Sequence, residues 1–275
     1  MNREDINVAV LRIEGTNCEE ESHLVWKRLG AKAEKVHLKQ FTGDDVTEDE
    51  KRELSDYDIL MIPGGFSAGD YIRAGAIFGA RMKSAMEDEL IEFVEAGKPV
   101  LGVCNGFQVL VEMGLLPAID KTITDIPDAI LATNDSNKFE CRPSILKVEE
   151  NERCVFTREY KKGEKIVFPS AHAEGKFILQ EDHLLEKLKK TDQIVFRYTT
   201  PKGSTPDYPW NPNGSIDDIA GVCNPRGNVL GLMPHPERVF YSHTRPDWTR
   251  DNNSKGSGDG KYLFESALKY VEKEF

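Results

Sequence analysis

Apolar and polar positions along the chain change period several times, and each change predicts an element. Residues 6–13 (INVAVLRI) form a β-branched apolar run that stops at Gly15-Thr16-Asn17, after which Leu24, Trp26 and Leu29 take helical spacing up to Gly30. Residues 33–38 (AEKVHL) read as a short strand, and residues 58–62 (DILMI) as a buried strand ended by Pro63-Gly64-Gly65. From Phe78 the apolar positions recur at Met82, Met86, Leu90 and Val94, a ladder closed by Gly97 and Pro99 that predicts a helix. Residues 100–103 are another apolar run, and beyond Cys104-Asn105-Gly106 the stretch FQVLVEMGLL reads as helix up to Gly114.

Three repeats of β then α predict an α/β fold with a mostly parallel sheet and helices on its faces. After about residue 130 the pattern changes. CRPSILKVEE, KIVFPSAHAEGKFIL, QIVFRY and NVLGLMPH read as strands without long helices between them, which predicts antiparallel additions to the sheet. Residues 200–218 and 242–260 are rich in Gly, Pro, Asn and Ser and read as long exposed loops. A last helix places Leu263, Phe264, Ala267, Leu268 and Val271 on one face. Residues 1–275 are expected to form one domain.

The 39% of hydrophobic and 30% of charged residues are those of a chain that folds around a core. A net charge of -11 argues against nucleic-acid backbones and anionic membranes, which bind clustered Lys and Arg. No stretch approaches the roughly 20 apolar residues of a membrane helix, and MNREDINVAV lacks the features of a signal peptide, so a cytoplasmic location is expected. Cys18, Cys104, Cys141, Cys154 and Cys223 are odd in number, widely spread and without a CxxC pair, which suggests neither a disulfide framework nor a zinc ribbon.

One cysteine stands in a reactive setting. Gly102-Val103-Cys104-Asn105-Gly106 follows a buried strand and opens a helix, the arrangement of a nucleophile elbow with Cys in place of Ser. Flanking glycines allow the close backbone approach of such a turn, and the helix N-terminus favours thiolate. The alternative is a buried structural Cys beside turn glycines, but a chance GxCxG arises on the order of 0.03 times in a chain of this length and composition.

A thiolate nucleophile needs a base, and His235 in MPHPER offers one. Prolines on both sides predict an extended stretch, in which Glu237 points the same way as His235 and orients it. The oxyanion formed on attack needs donors. Gly65 N–H, at the end of a strand expected near the elbow strand, and Asn105 N–H are the natural pair. Gln108 lies one helical turn beyond Cys104, over the same mouth. His172 either holds a substrate or closes a turn. His23, His37, His183 and His243 lack paired ligands, so no metal site is expected. A thiol hydrolase or peptidase, or a binding module with an inert Cys104, shares these features.

GVCNGFQ together with MPHPER resembles the class I glutamine amidotransferases, whose triad is Cys, His and Glu in that order. Residues 64–76 (GGFSAGDYIRAGA), residues 134–142 (NDSNKFECR) and the His172 motif resemble one branch of them, the glutaminase subunits of phosphoribosylformylglycinamidine synthases, over about residues 6 to 240. The resemblance implies a flavodoxin-like three-layer sandwich and hydrolysis of glutamine to glutamate and ammonia. The ammonia would serve conversion of formylglycinamide ribonucleotide to the amidine in purine synthesis. It also implies a heteromeric complex with a large synthetase subunit and a small third subunit, ATP and Mg2+ being bound by the synthetase and no cofactor by this chain. The family's glutamine site maps onto Cys104, Gln108 and residues 136–139, including Ser136 and Phe139. Ala68 stands where many members carry Tyr, and residues around the 242–260 loop are additional to compact members.

Overall fold

The computed structural model describes residues 1–245, 247–249 and 256–275. The first half alternates as its hydrophobic pattern predicts, apart from a short α2 (Leu38–Thr42) that the pattern does not predict: β1 (Asn7–Arg12), α1 (Glu19–Arg28), β2 (Lys32–His37), α2, β3 (Ile59–Ile62), α3 (Ala76–Glu95), β4 (Val100–Val103) and α4 (Asn105–Glu112). β3 and β4 are buried at every residue, which is why they read as unbroken apolar runs. Helix α1 buries Trp26 and Leu29 as expected and departs from the expected face at Leu24. Leu24 is exposed, and Ser22, Val25 and Trp26 are buried.

The second half holds β5 (Ala129–Thr133), β6 (Glu140–Val148), β7 (Lys165–His172), β8 (Glu174–Leu179), α5 (His183–Lys190), β9 (Ile194–Tyr198), β10 (Ile219–Cys223), β11 (Val229–Leu232) and α6 (Lys261–Glu274). β5, β10 and α5 are additional to the sequence-based reading. The apolar run over 165–179 is two strands. It bends at Ala173, so that β7 joins one sheet and β8 another.

The main sheet runs β2-β1-β3-β4-β11-β10-β9-β6-β7, with the first five strands parallel and the rest antiparallel. α1 and α6 pack together on one face, where the Trp26 ring meets Phe264 edge-on at 5.0 Å. α3 and α4 cover the other, and the two-stranded β5–β8 sheet lies over α4 through Phe107 stacked on Phe177 at 6.1 Å. No helix among the described residues is long and apolar enough to cross a membrane. In the 242–260 loop, Ser242 N donates to Gly256 O at 3.0 Å and Tyr241 bridges to Ser257; residues 246 and 250–255 of the expected loop lie outside the described residues.

The pairing register positions the chemistry. Ile62 of β3 lies beside Gly102 of β4, and Val103 of β4 beside Leu232 of β11. Three carboxyl ends therefore stand side by side. Gly64-Gly65 follows the first, Cys104 the second and His235 the third, at the usual ligand edge of a parallel sheet.

Candidate active site

Cys104 joins β4 to α4 with φ 51 and ψ −107, a conformation that costs an L-residue about 1–3 kcal/mol. Its N–H donates to Leu232 O at 2.8 Å, and nearly every residue of α4 is buried, so packing holds the strained residue in place. A Cβ on Gly106 would come within 1.9 Å of Ile62 O, and one on Gly102 within 2.6 Å of Gly106 O. The GxCxG spacing thus follows from strand and helix backbones in contact. The side chain is 6% exposed, with Sγ 3.7 Å from Ala171 O.

His235 lies beyond β11, with its backbone N–H donating to Pro169 O at 2.8 Å. The stretch is not extended as expected. Pro236 opens a 3-10 turn over Pro236–Val239, since its fixed φ suits the first helical position, and His235 caps that turn. Glu237, two residues on, still reaches the ring, with His235 Nδ1 2.5 Å from Glu237 Oε1 and both side chains buried. Burial works against charging the ring. The Glu237 carboxylate, the Cys104 thiol and the hydrogen bonds they supply outweigh it and push the His235 pKa up to about 10. The ring's Nε2 is buried, with no oxygen or nitrogen partner among the described residues. Gly64 borders both side chains, since a Cβ there would lie 2.8 Å from His235 Cε1 and 3.3 Å from Cys104 Cβ.

The Gly64-Gly65 loop is tied to the elbow from outside. Asn105 Oδ1 accepts from Ser67 N at 3.2 Å and Ser67 Oγ at 2.5 Å. Gly65 N–H makes no hydrogen bond among the described residues, and Asn105 N–H belongs to the open first turn of α4. Gln108 is only 4% exposed, and its side chain is occupied. Its Oε1 accepts from Asn105 Nδ2 at 3.0 Å, and its Nε2 donates to Glu174 O. Ser136 Oγ is buried without a partner among the described residues, whereas Phe139 is half exposed, its ring 6.4 Å from that of Phe66.

Several neighbours have no local signal in the sequence because the tertiary fold brings them in. Arg238 Nη2 donates to Cys18 Sγ at 3.1 Å, and burial with the Glu237 charge pushes the Cys18 thiol up to about 12. Cys18, His235 and Glu237 are the group of three ligand-type side chains with atoms within 4.8 Å among the described residues, and each of these side chains already has a partner within the chain. Asp70, beside Asn105 Nδ2 at 3.5 Å, has its carboxyl raised to about 6 by burial and by nearby Glu174.

The chain matches the model of the CobB/CobQ-like glutamine amidotransferase domain over residues 5–271. It is 52% identical to phosphoribosylformylglycinamidine synthase subunit PurQ of Archaeoglobus fulgidus, covering 99% of this chain and 100% of the relative. It is 44% identical to the protein of the same name from Picrophilus torridus, over 91% and 93% of the two chains. Among solved structures it resembles a chain in the structure of PurLQS from Thermotoga maritima, with TM-score 0.71, 33% identity and coverage of 97% and 99%.

Proposed function

The chain belongs to the family of PurQ glutamine amidotransferase subunits of phosphoribosylformylglycinamidine synthase, and from that premise we propose that Cys104 is the nucleophile with which it releases ammonia from glutamine. The observation that carries the assignment is the meeting of a strained cysteine and a buried His–Glu pair at adjacent strand ends.

His235, held as an imidazolium by Glu237, faces the Cys104 sulfur, and the reaction starts from the thiolate–imidazolium pair that such a nucleophile requires. The thiolate attacks the side-chain amide carbon of glutamine, and the carbonyl oxygen becomes an oxyanion facing Gly65 N–H and Asn105 N–H. His235 Nε2 then gives its proton to the amide nitrogen, the C–N bond breaks, and ammonia leaves a γ-glutamyl thioester on Cys104. Neutral His235 next takes a proton from water, hydroxide attacks the thioester, and glutamate departs as the thiolate–imidazolium pair re-forms. Glu237 steadies the ring throughout. Ser136 and Phe139 line the substrate's entry, and Gln108 supports Asn105 from behind.

The ammonia passes to the synthetase subunit, which converts formylglycinamide ribonucleotide to formylglycinamidine ribonucleotide in purine synthesis. ATP and Mg2+ act on that subunit, and a small third subunit completes the complex. In the assembled complex Cys104→Ala abolishes glutamine-supported synthesis and spares synthesis from added ammonia. Equal loss of both activities overturns the assignment.

A further inference from the structure

The end of β7 forms a wall of the site, and one side chain on it has no part in the steps above. Pro169 O holds the His235 backbone and Ala171 O faces Cys104 Sγ; the next residue, His172, is 3% exposed. Its Nδ1 lies 3.2 Å from Asn134 Oδ1. The orientation of that amide is determined by its other bonds. Asn134 Nδ2 donates to Lys138 O at 3.0 Å and His172 O at 2.8 Å, while Oδ1 accepts from Gly175 N at 3.1 Å. Oδ1 is therefore an acceptor toward the ring as well, so Nδ1 carries the hydrogen and Nε2 presents a lone pair. Burial and the nearby charge of His235 pull the pKa down to about 3, which keeps the ring neutral.

That Nε2 is buried and has no partner among the described residues. Leaving a buried acceptor unpaired is unfavourable, and here Asn134 keeps it oriented. His235 Nε2 is the second buried ring nitrogen of this region without an oxygen or nitrogen partner among the described residues, and as an imidazolium leaning on Cys104 it is a donor. An imidazolium donor on His235, whose charge reaches His172, and a buried acceptor on His172 match a nitrogen that takes up one proton while still bearing hydrogens of its own.

Building on the reading of Cys104 and His235 as the glutaminase centre, we propose that His172 Nε2 is a substrate contact that accepts an N–H hydrogen bond from the side-chain amide nitrogen of glutamine. The bond turns the nitrogen's lone pair toward His235 Nε2. In the collapse of the tetrahedral intermediate the proton comes from His235, the C–N electron pair leaves with the nitrogen, and the oxyanion closes to a carbonyl. His172 neither gains nor loses a proton. It selects a carboxamide over an ester, whose leaving oxygen has no hydrogen to give.

The test compares kcat/KM for glutamine and for glutamate γ-methyl ester, which forms the same thioester, in the assembled complex. His172→Asn reaches only as far as Nδ1, keeping the bond to Asn134 without the Nε2 acceptor; His172→Gln places an amide oxygen near the Nε2 position. His172→Asn is expected to lose at least about 10-fold more on glutamine than on the ester, one hydrogen bond's worth, and His172→Gln to recover most of that difference. Equal losses on both substrates, or an Asn variant better than the Gln variant on glutamine, overturn the inference. Failure of both variants to fold assigns the ring to stability and overturns it too. A Cys104→Ala complex that still hydrolyses glutamine sinks the underlying reading instead; an inactive one leaves the His172 comparison to decide.

Discussion

Gly64 offers the sharpest probe of the site, because a side chain there would press first on His235 and then on Cys104 and Cys18. It is absent from the positive-φ glycines, so its backbone accepts an L-residue without strain. The methyl of Gly64→Ala would lie 2.8 Å from His235 Cε1 and 3.3 Å from both Cys104 Cβ and Cys18 Sγ. Carbon atoms prefer about 3.5–4.0 Å, so the imidazole must retreat by roughly 0.7 Å. Nδ1, the ring atom next to Cε1, is bound to Glu237 at 2.5 Å, and the ring therefore pivots about that bond and moves Nε2, the other neighbour of Cε1, out of place. A displacement of about 1 Å costs roughly 100-fold, so kcat/KM for glutamine falls on the order of 30-fold, about 2 kcal/mol of barrier. Overpacking also lowers stability by about 1–3 kcal/mol. Gly163→Ala is the control: φ is +82 with nothing within 4 Å, so it costs about 1 kcal/mol of stability and no rate. Glutaminase kinetics of the complex and urea unfolding of each variant measure the two effects. A Gly64→Ala enzyme within threefold of wild type refutes the placement of the ring.

Glu237→Gln removes the charge that holds His235 protonated. A raised folded pKa means that the pair's stabilisation is full below the ordinary value of 6.5 and is lost as pH rises through about 10. Thermal melts of the variant should therefore lose the wild type's decline in stability over that window, and the basic limb of kcat/KM should move to lower pH; an unmoved limb contradicts the pairing. Cys104→Gly should be at least as stable as Cys104→Ala in denaturant, since glycine accepts φ 51 while alanine keeps the strain, the reverse of the usual order. A clearly less stable glycine variant argues against strain at the elbow. Iodoacetamide near neutral pH should label Cys104 and the exposed Cys141 before Cys18, whose thiol is pushed up to about 12. Peptide mapping showing Cys18 labelled first would reverse the roles.

Local physics made much of this legible. Buried parallel strands need unbroken apolar runs, long surface helices need a period near 3.6, and a strand-to-helix elbow needs glycine where backbones touch. Those demands act within a few residues, so β1, β3, α3, β4, α4 and the exceptional Cys104 follow from the chain itself. The Glu237–His235 pair is also local, although a 3-10 turn and not an extended stretch brings it about. Where local demands were weak, the pattern misled. Leu24 and Val25 are adjacent apolar positions, and the packing of α1 on β1, β2 and α6 leaves Val25 buried and Leu24 exposed. The run 165–179 is continuous in hydrophobicity yet divided between two sheets, because each half finds a different partner, β6 or β5. Gln108 looks available one turn beyond Cys104 until the β7–β8 bend brings Glu174 O onto it.

The sequence by itself determined which residues are candidates for the chemistry, because nucleophile, base and orienting acid each need their own side-chain type in a short local frame. Only the tertiary structure decided that they meet. More than 120 residues separate Cys104 from His235, and their approach depends on β11 returning to pair with β4, Leu232 against Val103. No local preference specifies that long-range register; it is settled by the burial of whole strands, and with it the Gly64-Gly65 loop, Cys18 and His172 come to surround the thiol.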